Sequence, residues 1–214
     1  MTTKKPKIEN HVNWLAPITL AGKHITLVPL AISHCDDLIE AAKDGKLWEL
    51  WYASVPSPDE MLNEIKRRLD CQSKGTMLPF TVIDNETKIP IGMTTYMDIL
   101  PTNRRLEIGW TWYRKSAQKT AVNTECKLLL LTYAFETLGC NVVRLSANFF
   151  NTNSRRAIER LGAKLDGILR SHRIMRNGVS CDFCTYSILS NEWPAVKANL
   201  ETRLNYELSA SYPV

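Results

Sequence analysis

Two segments about thirty residues apart contain the residue types that chemistry on a phosphate-bearing molecule would need. In the first, Glu107 lies on an apolar strand that leads through a loop, residues 118–124, into an apolar helix. In the second, residues 151–154 precede a short helix that stops at Gly162. A helix N-terminus offers unpaired backbone N–H groups and the positive end of the helix dipole, which favour phosphate. Two such N-termini, one joined to a carboxylate-bearing strand, predict a nucleotide-like molecule bound beside a general base.

Glu107 is the residue that the sequence favours as that base. A primary amine is mostly protonated at neutral pH, so its attack on an acyl group requires the loss of a proton. Partial burial in a sheet would raise the pKa of a carboxyl toward the working pH. Two alternatives stay open. Glu107 could instead pair with Arg104 or Arg105 or remain solvated, and His172 could act as the base through its ordinary pKa.

The second segment also has a purely structural interpretation. Asn151 and Ser154 are residue types that cap helix N-termini, and Gly162 is a common helix stop. Capping and ligand contact are compatible roles, so both interpretations are kept.

Length and composition favour one soluble domain. A chain of 214 residues is long enough to bury a substantial core, and no apolar run approaches the roughly 20 residues that span a bilayer. The N-terminus lacks the apolar stretch of a secretory signal, which favours a cytoplasmic location. The net charge of +5 suits a small anionic ligand, and without an arginine-rich tract no nucleic-acid partner is expected.

The cysteines give no sign of a metal or disulfide site. Cys181 and Cys184 have the spacing of a metal or redox pair, but they lie on a predicted strand, where residues three apart point to opposite faces. No second Cys/His pair completes a zinc site. We therefore expect six reduced thiols and no bound metal.

The hydrophobic pattern predicts the element order β-αα-βββ-α-β-α-ββ followed by a C-terminal helix. Strands are expected at residues 24–30, 78–83, 89–97, 106–113, 142–148, 165–175 and 179–189. Helices are expected at residues 34–43, from 57 to about 75, 120–138, 153–161 and 192–204. This order predicts an α/β fold with a mixed, mostly antiparallel sheet of about seven strands. Residues 1–22 would form an N-terminal arm, and residues 23–214 a single domain.

In motifs and element order, residues 23–190 resemble the GNAT superfamily of acetyl-CoA-dependent N-acyltransferases, in its RimJ/RimL-like branch. The strand motif of that family is matched by Glu-Ile-Gly-Trp-Thr at 107–111, and its N-x-x-S motif by residues 151–154. The family loop Q/R-x-x-G-x-G/A corresponds to residues 118–123. Here Ala121 and Asn123 replace the small residues, which predicts a weaker or reshaped contact with the CoA pyrophosphate.

The resemblance implies an N-acetyltransferase that moves acetyl from acetyl-CoA to a primary amine by direct attack in a ternary complex. In that scheme Glu107 is the base, the Thr111 amide stabilises the oxyanion, and Ser154 protonates the thiolate, because Ile158 stands where relatives have tyrosine. The implied cofactor-binding residues are Thr111, Trp112, Tyr113, Gln118, Lys119, Thr120, Ala121, Val122, Asn123, Thr124, Asn151 and Ser154.

The acceptor is less well defined. A peptide N-terminus and a small-molecule amine both fit the resemblance. Trp48 and Trp51 lie between the first two helices, which border the acceptor side in GNAT folds, although an aromatic cluster can equally belong to the core. The alternative function is a non-catalytic, acyl-CoA-binding regulatory module. The chain is expected to be a monomer or a homodimer.

Overall fold

The computed structural model describes the backbone of residues 14–210 and the side chains of residues 14–205. Its centre is one eight-stranded sheet. The strands are β1 (Leu20–Ala21), β2 (Ile25–Pro29), β3 (Met77–Asp84), β4 (Pro90–Leu100), β5 (Arg105–Tyr113), β6 (Val142–Asn148), β7 (Lys164–Ile174) and β8 (Ser180–Leu189). They lie in the order β1-β2-β3-β4-β5-β6-β8-β7, and every neighbouring pair is antiparallel except β5 and β6.

Helices cover both faces of this sheet. They are α1 (Cys35–Lys43), α2 (Met61–Ser73), α3 (Ala121–Thr132), α4 (Thr152–Leu161) and α5 (Trp193–Ala210). A π-helical turn, Tyr133–Thr137, continues α3, and short 3₁₀ turns lie at Leu47–Glu49 and Pro58–Glu60. None of the described helices is long and apolar enough to cross a membrane.

Two hydrophobic cores lie on opposite faces of the sheet. The larger one joins α3, α4 and α5 to alternate strand residues, among them Leu106 and Ile108 of β5. The smaller one lies under α1 and α2 and includes Met93 and Trp112. Because side chains alternate along a strand, Glu107 must point to the α1/α2 face. The alternation of apolar residues along β5 thus decides on which side of the sheet its carboxylate lies.

The sequence-based fold prediction is confirmed, with eight strands instead of about seven. The added strand, β1, pairs with β2 and lies inside the segment that the sequence assigns to an N-terminal arm. Two residues are too few to show a period, so the pattern could not reveal it. Residues 1–13 of that arm lie outside the described residues. The other predicted elements end within three residues of their expected ends when the 3₁₀ turn before α2 and the π-helical turn after α3 are counted with those helices, except that the last helix continues to Ala210.

A buried carboxylate ties the start of β2 to α3. Glu125, only 6% exposed, accepts hydrogen bonds from the backbone N–H groups of Lys23 (2.7 Å), His24 (2.8 Å) and Ile25 (2.8 Å). A Cβ atom at Gly22 would lie 2.6 Å from the Glu125 carboxyl carbon, so the backbone passes too close for any other residue. This contact fixes α3, and with it the loop that precedes α3, against the first half of the sheet.

Candidate active site

The sheet opens between β5 and β6. These parallel strands pair only from Arg105 to Glu107 with Val142 to Arg144. Beyond those residues β5 continues along β4, while β6 continues along β8. The two strands therefore diverge and leave an open seam, with Glu107 at its closed end. A seam of this kind exposes strand backbone that an extended ligand arm can contact.

A β-bulge lies on β5 next to this seam. Thr95 of β4 faces Gly109 and Met93 faces Trp112, so Trp110 and Thr111 together oppose the single residue Thr94. Trp110 has the left-handed φ of +50°, which is unusual for a bulky side chain. A bulge re-aims the backbone of its strand. The residue that the sequence proposes as oxyanion donor, Thr111, thus lies where β5 departs from regular pairing.

Glu107 is enclosed by groups from several strands. Burial raises the pKa of its carboxyl, and nearby Asp98 adds to that effect. The nearby Ser146 hydroxyl and the positive charges of Arg173 and Arg144 act in the opposite direction. The net result is a raised pKa, as a carboxylate needs if it is to accept a proton near neutral pH. Neither Arg104 nor Arg105 forms an ion pair with it among the described residues, and Arg105 instead binds Asp98 at 2.8 Å.

The loop before α3 forms a well-defined helix start. Gln118 donates from Nε2 to the carbonyl of Tyr113 at 3.2 Å, which folds the loop back on the end of β5. Lys119 has a left-handed φ of +62°, and the Thr120 hydroxyl oxygen caps the helix by accepting from the Val122 N–H at 3.3 Å. The first-turn N–H groups of Ala121 and Asn123 have no partner within an α-helix of this geometry. They are the amides best placed to meet an anion.

The start of α4 is capped by its own side chain. Asn151 Oδ1 accepts from the Ser154 N–H at 3.0 Å, so this amide is already satisfied. The Ser154 side chain is half-buried, and Ile158 is buried one turn further on. Arg155 lies over the Phe149 ring and donates to the Phe149 carbonyl at 3.2 Å. The capping role of Asn151 is confirmed, and the contact of this segment with a ligand, through groups such as the Ser154 hydroxyl, stays a prediction.

Three of the other predicted cofactor residues have buried side chains. Trp112 packs into the core under α1 and α2, while Tyr113 and Thr124 are buried on the opposite face. Only their main-chain atoms are available near the seam. The role proposed for Trp112 and Tyr113 is therefore limited to the β5 backbone, and that of Thr124 to the α3 backbone.

The two candidate acceptor tryptophans have different environments. Trp48 is half-buried against the smaller core. Trp51 is 41% exposed, and its ring lies 5.8 Å from that of Tyr52 and 5.6 Å from that of Phe150. The Trp51–Phe150 contact joins the segment after α1 to the turn between β6 and α4. Trp51 is thus the one of the pair that borders the seam.

Comparisons with known proteins agree with this architecture. The acetyltransferase (GNAT) domain family matches residues 24–164. The chain belongs to the GNAT acetyltransferase family. YdaF of Bacillus subtilis (strain 168), named as a candidate ribosomal N-acetyltransferase, is 35% identical over 106 residues, which is 50% of this chain and 57% of that protein. The predicted GNAT family is confirmed, and the name of YdaF agrees with the RimJ/RimL-like branch.

Solved structures show the same fold. A GCN5-related N-acetyltransferase from Brucella melitensis is 29% identical with a TM-score of 0.80, covering 89% of this chain and 86% of its own. RimL, a ribosomal-protein α-N-acetyltransferase solved in complex with coenzyme A, is 18% identical with a TM-score of 0.67, covering 80% of this chain and 98% of its own. At 18% identity the likeness to RimL concerns the fold.

Within this GNAT domain the structure adds site residues that the sequence analysis missed. Arg68 of α2 is fully buried and binds Glu64, Thr95 and the carbonyl of Trp110. Ser146 and Arg173 lie near Glu107, on β6 and β7. These residues are distant from the motifs in sequence, and the pattern of an isolated arginine or serine carries no signal of its own. Pairing of β6 with β8, and of β8 with β7, brings them to the seam.

A lysine of α3 is also buried beside the bulge. Lys127 is 5% exposed, and its Nζ donates to Thr111 Oγ1 at 2.9 Å. The same Thr111 Oγ1 lies 2.8 Å from Thr94 Oγ1. No carboxylate of the described residues pairs with it, because neighbouring Glu125 is engaged by backbone amides. Burial lowers the pKa of Lys127. Holding an ammonium group there costs stability.

Replacing Lys127 by methionine should stabilise the protein. The Lys127→Met variant keeps the apolar volume and removes the buried charge, so we expect the free energy of unfolding at pH 7 to rise by about 1 kcal/mol or more. The pKa of Lys127 is lower in the folded than in the unfolded state. The stability cost of burying its ammonium group is therefore absent above the unfolded-state pKa and grows as the pH falls from that value through the folded-state pKa. Urea unfolding at pH 7 and pH 10 should thus show a gain that shrinks at the higher pH. A less stable variant at pH 7 would contradict this account, and Lys115→Met, near the exposed surface, serves as the control.

Proposed function

We propose that this GNAT protein transfers acetyl from acetyl-CoA to a primary amine by direct attack in a ternary complex. The observation that carries the proposal is the open seam between β5 and β6, which has Glu107 at its closed end and the Trp110–Thr111 bulge along one side. The seam provides a place for an extended acyl donor on β5, and Glu107 provides a base on the α1/α2 face. A protein that only bound acyl-CoA would have no need of a half-buried carboxyl with a raised pKa.

The residues around the seam fit acetyl-CoA. Its diphosphate would meet the first-turn amides of Ala121 and Asn123 at the positive end of α3. In the first turn of α4 both the Thr152 and the Ser154 amides are engaged, by the Phe150 carbonyl and the Asn151 side chain, whereas in α3 the cap Thr120 engages Val122 and leaves Ala121 and Asn123, so α3 is the better anchor of the two helices. When bound, this molecule supplies an activated acetyl thioester. RimL, which shares the fold, was solved with coenzyme A.

Three groups of this chain would carry the transfer. Glu107 accepts a proton from the amine, which frees the nitrogen lone pair to form the new C–N bond. The backbone N–H of Thr111 donates to the thioester carbonyl oxygen as negative charge develops there. The C–S bond then breaks, the nitrogen loses its second proton to solvent as the amide forms, and the Ser154 hydroxyl gives its proton to the departing sulfur, to be replaced from solvent. His172 is exposed and packs on Phe183, which makes it the weaker candidate for the base.

The acceptor would approach from the α1/α2 face, because Glu107 points there. Trp51 and Phe150 border the seam on this side and offer an aromatic edge to the acceptor. The names of YdaF and RimL refer to ribosomal proteins. A peptide N-terminus and a small-molecule amine both remain acceptors under this proposal.

The cofactor site can be tested by calorimetric titration with acetyl-CoA of the unmodified protein and of a variant in which one neutral side chain is replaced by a charged side chain of the same shape. The Asn123→Asp variant places a carboxylate in the first turn of α3, where the helix dipole favours it, so folding should be unaffected or improved. The same charge repels a diphosphate, and we expect the affinity for acetyl-CoA to fall about tenfold, which corresponds to about 1.4 kcal/mol. The loss should shrink at high salt as the charges are screened.

The Asn123→Ala variant is the matched neutral control and should retain most of the affinity. Equal affinities for the Asp and Ala variants would contradict the placement of the diphosphate at α3. If the unmodified protein binds no acetyl-CoA, the proposed enzymatic function fails. If it binds acetyl-CoA but acetylates no amine or peptide, the binding-module alternative replaces it.

A further inference from the structure

Among the residues that the structure describes, Arg173, beside the proposed base, forms no ion pair with a carboxylate. The Arg173 guanidinium lies between two aromatic rings, 5.6 Å from the centroid of Trp110 and 4.7 Å from that of Phe183. Its neighbours on β7 and in the following turn are paired, Arg170 with Asp182 at 2.6 Å and Arg176 with Glu60 at 3.0 Å. Among the described residues Arg173 has no such ion pair and no hydrogen bond. Its half-buried donors are therefore available to a ligand.

The guanidinium lies on the acceptor side of the sheet. Phe183 of β8 alternates with Cys184, which packs in the core on the α3 face, so Phe183 points to the α1/α2 face together with Glu107. Arg173 is close enough to Glu107 for its charge to act on that carboxyl. Cation–π contacts with the two rings hold the guanidinium against this face. Its donors thus lie near the carboxyl that the amine must approach.

The local charge balance favours an anion. Arg67 and Arg68 approach the same Trp110 ring, at 5.0 and 6.0 Å from its centroid, and both are bound to Glu64. The guanidinium groups of Arg67, Arg68 and Arg173 carry three positive charges, and the Glu64 carboxylate neutralises one of them. The excess around Trp110 is therefore two positive charges, or one when Glu107 is ionised. A substrate whose only charge is its ammonium group would be repelled here. A substrate that also carries an anionic group would be attracted.

We infer that the acceptor is a small primary amine bearing a carboxylate or phosphate group close to its nitrogen, and that Arg173 binds this anionic group through its guanidinium fork. The inference rests on the proposed acetyl transfer and specifies its substrate class. Arginine suits both anions because its parallel N–H donors match two oxygen atoms at once. Binding the anion at Arg173 would place the amine of a short molecule near Glu107, so recognition and deprotonation would occur in one step.

Matched pairs of acceptors test the inference. The probes are glycine, β-alanine and γ-aminobutyrate beside their amides, and O-phosphoethanolamine beside ethanolamine. They are assayed by chromatographic detection of CoA and of the acetylated product. Each pair differs in the anionic group, and the series varies its distance from the nitrogen. Because the anion also raises the pKa of the amine, rates within a pair are compared at equal concentrations of free amine. For at least one pair we expect the unmodified protein to give a kcat/KM at least tenfold higher for the anionic member.

Three variants assign that preference to Arg173. Arg173→Gln should lose at least tenfold in kcat/KM on the preferred anionic acceptor, mainly through KM, and less than threefold on its neutral counterpart. Arg173→Lys should keep part of the preference, because it retains the charge but loses the fork. Arg170→Gln, on the same strand but exposed and paired with Asp182, is the control and should behave as the unmodified protein. Melting temperatures within a few degrees would show that each variant is folded.

Several results would overturn the inference. The first is that Arg173→Gln lowers kcat/KM equally for both members of a pair and shifts the acid limb of the pH–rate profile equally for both. That result would mean that Arg173 acts only through Glu107, whose other charged neighbours are Asp98 and Arg144. Acetylation of peptides or neutral amines alone would overturn the anionic acceptor and leave the proposed function intact. Failure to bind acetyl-CoA would overturn the anionic acceptor and the proposed function together. The comparison of the amino acids with O-phosphoethanolamine shows whether Arg173 recognises a carboxylate or a phosphate.

Discussion

Changing Glu107 to glutamine should lower kcat/KM about 10²- to 10⁴-fold while leaving the affinity for acetyl-CoA unchanged. Glutamine has the shape of glutamate but cannot accept the proton of an ammonium group at neutral pH. The side chain lies at the closed end of the seam, on the α1/α2 face and away from the N-terminus of α3, so the diphosphate anchor is untouched. The measurement is the initial rate of CoA release with the best acceptor, beside a calorimetric titration with acetyl-CoA.

The pH dependence gives a second readout of the same residue. Because burial raises the pKa of Glu107, the acid limb of kcat/KM in the unmodified protein should lie above 4.5, and it should disappear in Glu107→Gln. The raised pKa that suits Glu107 to accept a proton lowers the stability of the folded protein. A carboxyl with a raised folded-state pKa costs stability as pH rises from 4.5 through that pKa, so the variant should gain stability relative to the unmodified protein over this range.

Asp98→Asn is the matched acid-to-amide control for this prediction. Asp98 is near Glu107 and pairs with Arg105, but its side chain is 42% exposed. We expect its replacement to change kcat/KM no more than about threefold, since exposed pairs contribute little. Retention of more than half of the activity in Glu107→Gln would remove this residue from the mechanism and would turn attention to His172.

Replacing Arg68 by methionine should destabilise the protein by about 3–5 kcal/mol. Arg68 is fully buried, and its guanidinium binds Glu64 Oε1 at 2.7 Å, Thr95 Oγ1 at 2.9 Å and the Trp110 carbonyl at 3.3 Å. Its loss leaves a buried hydroxyl and a buried carbonyl without a partner and weakens the neutralisation of Glu64. Such a loss is a large part of the roughly 5–15 kcal/mol that stabilise a typical domain. Urea unfolding followed by circular dichroism measures it.

Arg67→Met provides the comparison within the same helix. Arg67 also binds Glu64, at 2.7 Å, but its side chain is 41% exposed, so we expect a cost of at most about 1 kcal/mol. The double variant Glu64→Met/Arg68→Met should recover part of the stability lost by Arg68→Met, because it no longer strands a charge. Equal costs for the two single variants would show that the buried network does not hold the bulge.

The sequence by itself determined much of the fold. Alternating apolar residues fixed β5 and the face on which Glu107 lies, and Thr120, Asn151 and Gly162 marked the helix ends where the structure has them. These are local signals, because periodicity and capping depend on residues a few positions apart. The motifs around Glu107 and Asn151 were sufficient for the family resemblance. The two-residue strand β1 was missed because so short an element carries no period.

Only the tertiary structure decided what surrounds the base. Strand pairing brings Ser146 and Arg173 to Glu107 across β6, β8 and β7, and α2 brings Arg68 to the carbonyl of Trp110. These neighbours are separated from Glu107 by tens of residues, so spacing along the chain could not predict them. The pKa of Glu107 depends on burial and on charges brought together by folding. For this reason the sequence could name a candidate base, whereas the charge of its surroundings, and with it the proposed class of acceptor, came from the folded arrangement.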